Sequence, residues 1–434
     1  MKPGISYKPF WLVLAAVLCA ASVWLYANRV LIPYQISDAA AHGRARGNLS
    51  DFYQHWVAAK ALLLNGRNPY APDVTREIQQ GYYGRSPDPA RPGDPKDQRF
   101  AYPVYVVFFL APTIHLPFEI VRRGFSWVLL GLTVATIPLW LRVLQWSLPL
   151  WVQGSLIVLT IGSLPVMQGL KLQQMTLLVA ALVAIGLALL ASDRPIAAGI
   201  ALALATIKPQ LVWLLLFWLM IWTLADWRRR YRWAVSFLFT MAILCAASEW
   251  YLPHWIPSFF QAMREYPTYT DAVSTFDKLL PSPWGWMARA LAIAATVYVG
   301  WKNRRLAEST PAYAATVSLI LAVTIIVIPS YALYNEVMLL PALLILVRDR
   351  QLLWNRNRVS RLLLSLVAIF LSWQWLSSIV LVGLSFVLPP QTVEAAWAMP
   401  LWTVLPLPVV VAGLVLMMIS YQKTFTPLAG PGSS

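Results

Sequence analysis

The sequence predicts an all-α polytopic membrane protein whose first span is followed by a long outer loop. Three observations predict it. Of 434 residues, 59% are hydrophobic and only 12% are charged. The mean hydropathy is +0.60. The apolar residues also fall in runs long enough to cross a bilayer core of roughly 30 Å. A soluble domain has about a quarter of its residues charged, so a soluble enzyme, a disordered scaffold and a disulfide-stapled secreted module are excluded. The net charge of +16, from 34 Lys and Arg against 18 Asp and Glu, sits in short loops: Arg122-Arg123, Arg228 to Arg232, Lys302 to Arg305 and Arg348 to Arg361. That is where cytoplasmic loops facing anionic headgroups collect cations. It is not a nucleic-acid-binding stripe interleaved with exposed aromatics, so no nucleic acid is expected as partner.

Lys2 and Lys8 precede the apolar stretch Phe10 to Tyr26. Residues 1–30 read as a retained anchor, although small residues near Ala20 to Ser22 also permit a cleaved signal peptide. With the basic end inside, residues 31–100 face the outer side. A transmembrane core follows over 101–252, with apolar segments at 101–118, 124–146, 148–167, 173–191, 195–226 and 232–252. Residues 253–283 form a second outer, amphipathic piece. Residues 284–420 hold the C-terminal spans, at 284–301, 311–328, 331–347, 361–388 and 400–420, and residues 421–434 form a disordered tail. The segment 195–226 contains Lys208-Pro209, so it is one kinked span or two half-length helices. Counted once, it gives about twelve crossings and leaves every basic loop on the inner face. Cys19 and Cys245 lie inside apolar runs as small hydrophobes. Many of the 22 tryptophans end such runs as headgroup-belt residues, among them Trp11, Trp24, Trp140, Trp151, Trp227, Trp284, Trp301 and Trp402.

The first outer loop carries 7 of the 18 acidic residues: Asp38, Asp51, Asp73, Glu77, Asp88, Asp94 and Asp97. Within it, Phe52, Trp56, Ala59 and Leu63 recur at helical spacing. They predict an amphipathic helix on the membrane surface, with Ser50 or Asp51 at its N-cap and its end near Asn65-Gly66. Asp51 is therefore either a plain N-cap or a carboxylate held at headgroup level as a general base. A lysine between apolar stretches, as at Lys208, reads as functional unless it snorkels to the interface. The four histidines, His42, His55, His115 and His254, have no metal-ligand spacing. His55 lies one helical turn after Asp51 and can share its face. No cofactor is assigned, and a divalent cation is left open. No Gly-rich nucleotide loop is present.

The segments SDFYQHWVAAKALLLNGRNPYAP, RFAYPVYVVFFLAP, GLKLQQMTLLVAALVAIGLALL and AAGIALALATIKPQLVWLLL, in that order, resemble glycosyltransferase family 87. That family belongs to the GT-C superfamily of polytopic enzymes that use polyprenyl-phosphate sugars. The resemblance covers roughly residues 45–350 and implies a GT-C-like bundle. It also implies transfer of a hexose, first of all mannose, from a polyprenyl-phosphate donor to a lipid or glycan acceptor on the non-cytoplasmic side of a bacterial membrane. Asp51 matches the acidic residue that such enzymes place just beyond the first span, as the base for the acceptor hydroxyl. Lys208, Lys171 and Arg99 are the implied cations for the donor phosphate. Tyr334, Asn335, Glu336, His55, Tyr102 and Gln168 are the implied lining of the sugar or acceptor pocket. The turn IPSYALYNEVMLL departs from the family pattern, because Tyr334 and Asn335 stand where histidines are expected. That leaves hydrogen bonding by Tyr334 and Asn335, or a second carboxylate at Glu336, to take over their work. A transporter or flippase of a lipid-linked or small polar solute is the rival reading, and a glycan ligase of similar architecture is a third. No internal repeat of the transporter kind is visible.

Overall fold

A computed structural model describes residues 9–88, 98–270, 272–329 and 331–422. Lys2, Lys8, Asp94, Asp97, most of the Pro-rich stretch after Ser86 and the tail from residue 423 lie outside them. Every described regular element is helical. This follows from the composition: backbone groups removed from water must be paired within the segment, and a helix does so locally.

The first span is longer than the expected anchor. Helix α1 (Pro9–Tyr26) continues through a π turn (Ala27–Leu31) into α2 (Ile32–Ala41), so one rod runs from Phe10 to Ala41. The connecting segment after it therefore begins about ten residues later than the apolar run suggested. It carries α3 (Tyr53–Asn65) and α4 (Pro72–Tyr83). Gly66, at φ 60°, closes α3 as its left-handed C-terminal residue. Helix α3 is not the half-exposed amphipathic helix that its spacing predicted. Gln54, His55, Trp56, Val57, Ala58, Ala59, Ala61 and Leu62 are all buried, as expected of a helix with apolar or small residues on every side. It packs against the 3-10 helix Val104–Thr113. Helix α4 is the amphipathic one, burying Val74 and Ile78 and turning Asp73, Arg76 and Glu77 outward.

The core follows as α5 (Phe118–Val143), α6 (Leu150–Ile161), α7 (Leu164–Lys171), α8 (Met175–Leu190) and α9 (Pro195–Leu204). Helices α6 and α7 meet at 60° across Gly162. A Cβ on Gly162 would stand 2.2 Å from the Cα of Ala20, so this glycine lets α6 close on α1. At Lys208 the chain breaks between two 3-10 turns, Ala205–Ile207 and Pro209–Leu211, before α10 (Trp213–Leu224). The 195–226 segment is thus two short helices, because Pro209 cannot continue the ladder. Next come α11 (Trp227–Tyr251), α12 (Trp255–Tyr269), α13 (Thr275–Leu279), α14 (Trp284–Lys302) and α15 (Pro311–Val327). A 3-10 helix, Leu333–Leu339, leads into α16 (Leu340–Arg348), followed by α17 (Arg350–Arg356), α18 (Arg358–Leu384), α19 (Pro390–Ala395) and α20 (Pro406–Gln422).

Among the described residues, five helical segments are long and apolar enough to cross a membrane, or six with the bent α6–α7 pair. Five further apolar helices are 10 to 17 residues long, among them α8, α10 and α15. The expected twelve or so crossings are thus matched by length and composition in five or six segments among the described residues. Several expected spans are broken or begin in 3-10 turns, as at Val104–Thr113 and Leu333–Leu339. The middle helices pack on one another, α9 against α11 and α8, α8 against α5, and α15 against α20. Helix α15 is buried over nearly its whole length.

One polar knot ties the α10 end of the bundle. Arg230 is 5% exposed and lies 3.9 Å over the Trp222 ring. It donates to the carbonyls of Trp222 (2.6 Å), Arg304 (3.0 Å) and Leu306 (2.9 Å). The last carbonyls of a helix have no partner inside it, and this guanidinium supplies one for α10. Of the eight tryptophans expected in the headgroup belt, Trp11, Trp227, Trp284, Trp301 and Trp402 are exposed, while Trp140 is a core residue.

Candidate active site

Asp51 is placed by the chain leading into it. Residues 47–49 dock on the C-terminal end of α4, where Asn48 N–H donates to Gly81 O (3.1 Å) and Leu49 N–H to Tyr82 O (3.3 Å). The approach requires glycine at 47, since a Cβ there would lie 2.2 Å from Gly81 O and 2.5 Å from Gly84 N. Asp51 N–H then donates to the carbonyl of Leu172 (2.9 Å), in the turn between α7 and α8. The Ncap position of α3 falls to Phe52, with no side-chain cap. Asp51 is therefore not the plain N-cap that its place before the helix suggested.

Its carboxylate turns instead to the α7–α8 turn and accepts a hydrogen bond from Gln174 Nε2. Gln174 Oε1 accepts from Lys208 Nζ (3.2 Å), and the same ammonium donates to Thr176 Oγ1 (2.8 Å). Thr176 in turn donates to Asn335 Oδ1 (3.0 Å). Lys208 Nζ also lies 4.9 Å from the centroid of the Tyr334 ring. Four distant parts of the chain thus meet in one continuous polar cluster: the entry to α3, the start of α8, the break before α10 and the Leu333–Leu339 turn. The broken helix explains the position of Lys208. An ammonium only 5% exposed needs partners, and the interruption at Pro209 lets it point into the cluster.

Of the remaining predicted site residues, His55 and Tyr102 pack beneath this cluster, while Glu336, Lys171, Gln168 and Arg99 line other cavities. His55 is fully buried beneath Asp51, with Nδ1–H donating to the Asp51 carbonyl (3.1 Å) and the ring packed 4.2 Å from that of Tyr102. Burial lowers its pKa to about 3, so the ring is neutral, with the proton on Nδ1. Glu336 is 7% exposed and borders an apolar cavity of about 140 Å³, walled by α6, α7, α16 and α18 with residues such as Leu156, Val166, Leu343 and Leu371. Lys171 points elsewhere, donating to Gln35 Oε1 (2.7 Å). With Gln168, Arg44 and Arg46 it lines a separate cavity of about 270 Å³ between α2, α4 and α7. Arg99 stands further out, stacked 4.3 Å over Tyr269 and 3.6 Å from the Glu265 carboxylate. The three cations expected around one phosphate therefore occupy three different places. Among the described residues, no group of three or more His, Cys, Asp or Glu is arranged to hold a metal ion.

Gln174 and Thr176 are the members that sequence reasoning missed. Both stand in the quoted stretch GLKLQQMTLL. The available signal was a pair of amides interrupting two apolar helices, at a turn where Gln173 takes a positive φ of 51°.

A carboxylate and an ammonium separated by one amide can manage a proton at one end and an anion at the other. The residues around them match a known family, since the model for glycosyltransferase family 87 covers residues 100–330, more than half of the chain. The chain belongs to glycosyltransferase family 87. Gln174, Thr176 and Lys208 fall within the matched stretch, while Asp51, Tyr334, Asn335 and Glu336 lie outside it. No curated protein and no solved structure gives a significant match. Family and fold together make this a membrane glycosyltransferase, with a donor and an acceptor as substrates.

Proposed function

We propose that this glycosyltransferase moves a hexose, with mannose the first to test, from a polyprenyl-phosphate donor to a lipid or glycan acceptor. The observation that carries the reading is the chain Asp51–Gln174–Lys208. Asp51 takes the proton of the acceptor hydroxyl as that oxygen bonds to the anomeric carbon. The bond from the anomeric carbon to the phosphate oxygen breaks, and polyprenyl phosphate leaves with the electron pair. Lys208 stabilises the charge developing on it. In-line displacement inverts the anomeric centre, so a β-linked donor gives an α-linkage. Gln174 holds the two charged groups apart in the absence of substrate, and Tyr334 and Asn335 line the sugar beside Lys208. Neutral His55 fixes the backbone at Asp51 from below.

The apolar cavity bordered by Glu336 suits the isoprenoid chain, which needs hydrocarbon walls and few polar groups. Because Arg122-Arg123, Arg228 to Arg232 and Arg348 to Arg361 belong to the cytoplasmic side, the reaction faces the periplasm or cell exterior of a bacterial cytoplasmic membrane. The five shorter apolar helices enter the bilayer as partial crossings. The test is transfer of labelled mannose from polyprenyl-phosphate mannose in proteoliposomes, comparing wild type with Asp51→Asn. Transfer by wild type and its loss in the variant is expected. Equal transfer by both proteins removes Asp51 from the role of base, and flux of a solute without any transfer returns the transporter reading.

A further inference from the structure

A polar cleft of about 560 Å³ lies between α4 and α12, on the side of the outer segments. Its size falls within the roughly 300–1,000 Å³ typical of sites for small molecules. Thr75, Arg76 and Gln79 of α4 line one wall, Gln261 and Glu265 of α12 the other, and Arg99 the end between them. Two features set this cleft apart from the Lys171 cavity. Its charges nearly balance, with two arginines against one carboxylate, and Arg99 is already held by Glu265. Its remaining groups are amides and hydroxyls, which both donate and accept, as the hydroxyls of a neutral sugar require. Gln261 and Glu265 are themselves joined, Nε2 to Oε1 at 3.0 Å, so the α12 wall is ordered.

A run of packed side chains links the wall of the cleft to the backbone of Asp51. Tyr70, at its edge, donates through its hydroxyl to the carbonyl of Tyr102 (2.6 Å). The Tyr102 ring packs on His55, and His55 holds the Asp51 carbonyl. Phe100, next to Arg99, fills the space between Tyr70 and His55, with ring centroids 5.2 and 6.4 Å away.

We propose that the cleft between α4 and α12 binds the neutral oligosaccharide part of the acceptor, leaving its terminal hydroxyl to reach Asp51. The acceptor is then a glycan-bearing molecule and not a bare lipid alcohol. This assignment rests on the transferase reading for its meaning, but binding of a saccharide can be measured without transfer.

The experiment uses the full chain in nanodiscs. Saturation-transfer NMR is recorded with mannotriose, isomaltotriose and cellotriose, with mannose as the single-ring comparison and inorganic phosphate as competitor. Wild type is compared with the double variant Thr75→Val/Gln261→Leu, whose folding is checked by size exclusion and thermal unfolding. At least one trisaccharide binds wild type more tightly than mannose does, phosphate does not displace it, and the folded variant binds about tenfold more weakly, as the loss of two hydrogen bonds requires. In the transfer assay the same variant raises the acceptor KM about tenfold and leaves kcat within about twofold. If no trisaccharide binds wild type, if phosphate displaces the trisaccharide, or if the folded variant binds as wild type does, the assignment is overturned. Should Arg76→Gln replace the double variant because that one misfolds, the same criteria apply. Trisaccharide binding without any sugar transfer keeps the cleft and sinks the transferase mechanism, whereas transfer without trisaccharide binding does the reverse.

Discussion

Replacing Lys208 by methionine removes the charge and keeps most of the length. In the structure Nζ makes two hydrogen bonds, to Gln174 Oε1 at 3.2 Å and Thr176 Oγ1 at 2.8 Å, and faces Asp51 across a single amide. Two hydrogen bonds and that amide put the charges at most about 8 Å apart, which at an effective dielectric of about 20 is an attraction of about 2 kcal/mol, or roughly thirtyfold. In the proposed role opposite the leaving phosphate its loss weighs more, since removing one preorganised donor from a developing anion lowers kcat about 10²- to 10³-fold. Lys208→Met should therefore fold, elute as a single species, and transfer sugar about 10²- to 10³-fold more slowly at saturating donor. The assay is radiolabelled transfer in proteoliposomes, repeated with Asp51→Asn and with the double variant. If the two groups serve one displacement as proposed, the combined loss should fall short of the product of the single losses by about thirtyfold or more. A folded Lys208→Met that keeps kcat within about threefold of wild type, or losses that multiply, would refute a cation serving the phosphate opposite Asp51.

The other predictions concern the groups around that pair. Gln174→Leu should cut the link and lower kcat by about tenfold to a hundredfold while the protein stays folded, measured in the same assay. Gly47→Val should lose both activity and thermal stability, because the new side chain meets the α4 backbone within 2.5 Å; an active, stable variant would contradict the docking of residues 47–49. Arg230→Met should destabilise by about 3 kcal/mol, since buried carbonyls are left without a donor, and a lowered unfolding temperature in detergent checks it. His55 stays neutral when folded, with its pKa depressed by burial from 6.5 to about 3. The unfolded chain therefore takes up the proton first as pH falls through that window, and stability drops from its full value above pH 6.5. His55→Asn should flatten that decline in thermal unfolding between pH 7.5 and pH 4.

The helical class and most core helices were legible because apolar run length is a local property of the chain. The same runs suggested about twelve crossings, whereas five or six described segments are long and apolar enough by themselves. Lys208-Pro209 breaks a helix locally, but whether its halves each cross depends on what they pack against, as does the turn into Leu333–Leu339. Asp51 and Lys208 could be chosen from charge and position. Their bridge could not, because Gln174 lies 123 residues from Asp51 and 34 from Lys208, and nothing in an amide's neighbours names so distant a partner. Helix α3 was read as a surface helix from its aromatic spacing. Its burial is explained by α4 and the Val104–Thr113 segment folding over it, contacts invisible to periodicity. Lys171 and Arg99 were grouped with Lys208 by the resemblance, and only packing sends them into separate cavities.

The short helix α7 touches two things at once. Pro165 and Val166 form part of the wall of the apolar cavity, and the carbonyl just past its far end, at Leu172, holds the amide of Asp51. A hydrocarbon tail lodged against that wall would push on the same lever that aims the carboxylate. The wall of that cavity and the seat of the Asp51 backbone are thus carried by one helix of 8 residues, and neither can shift without the other.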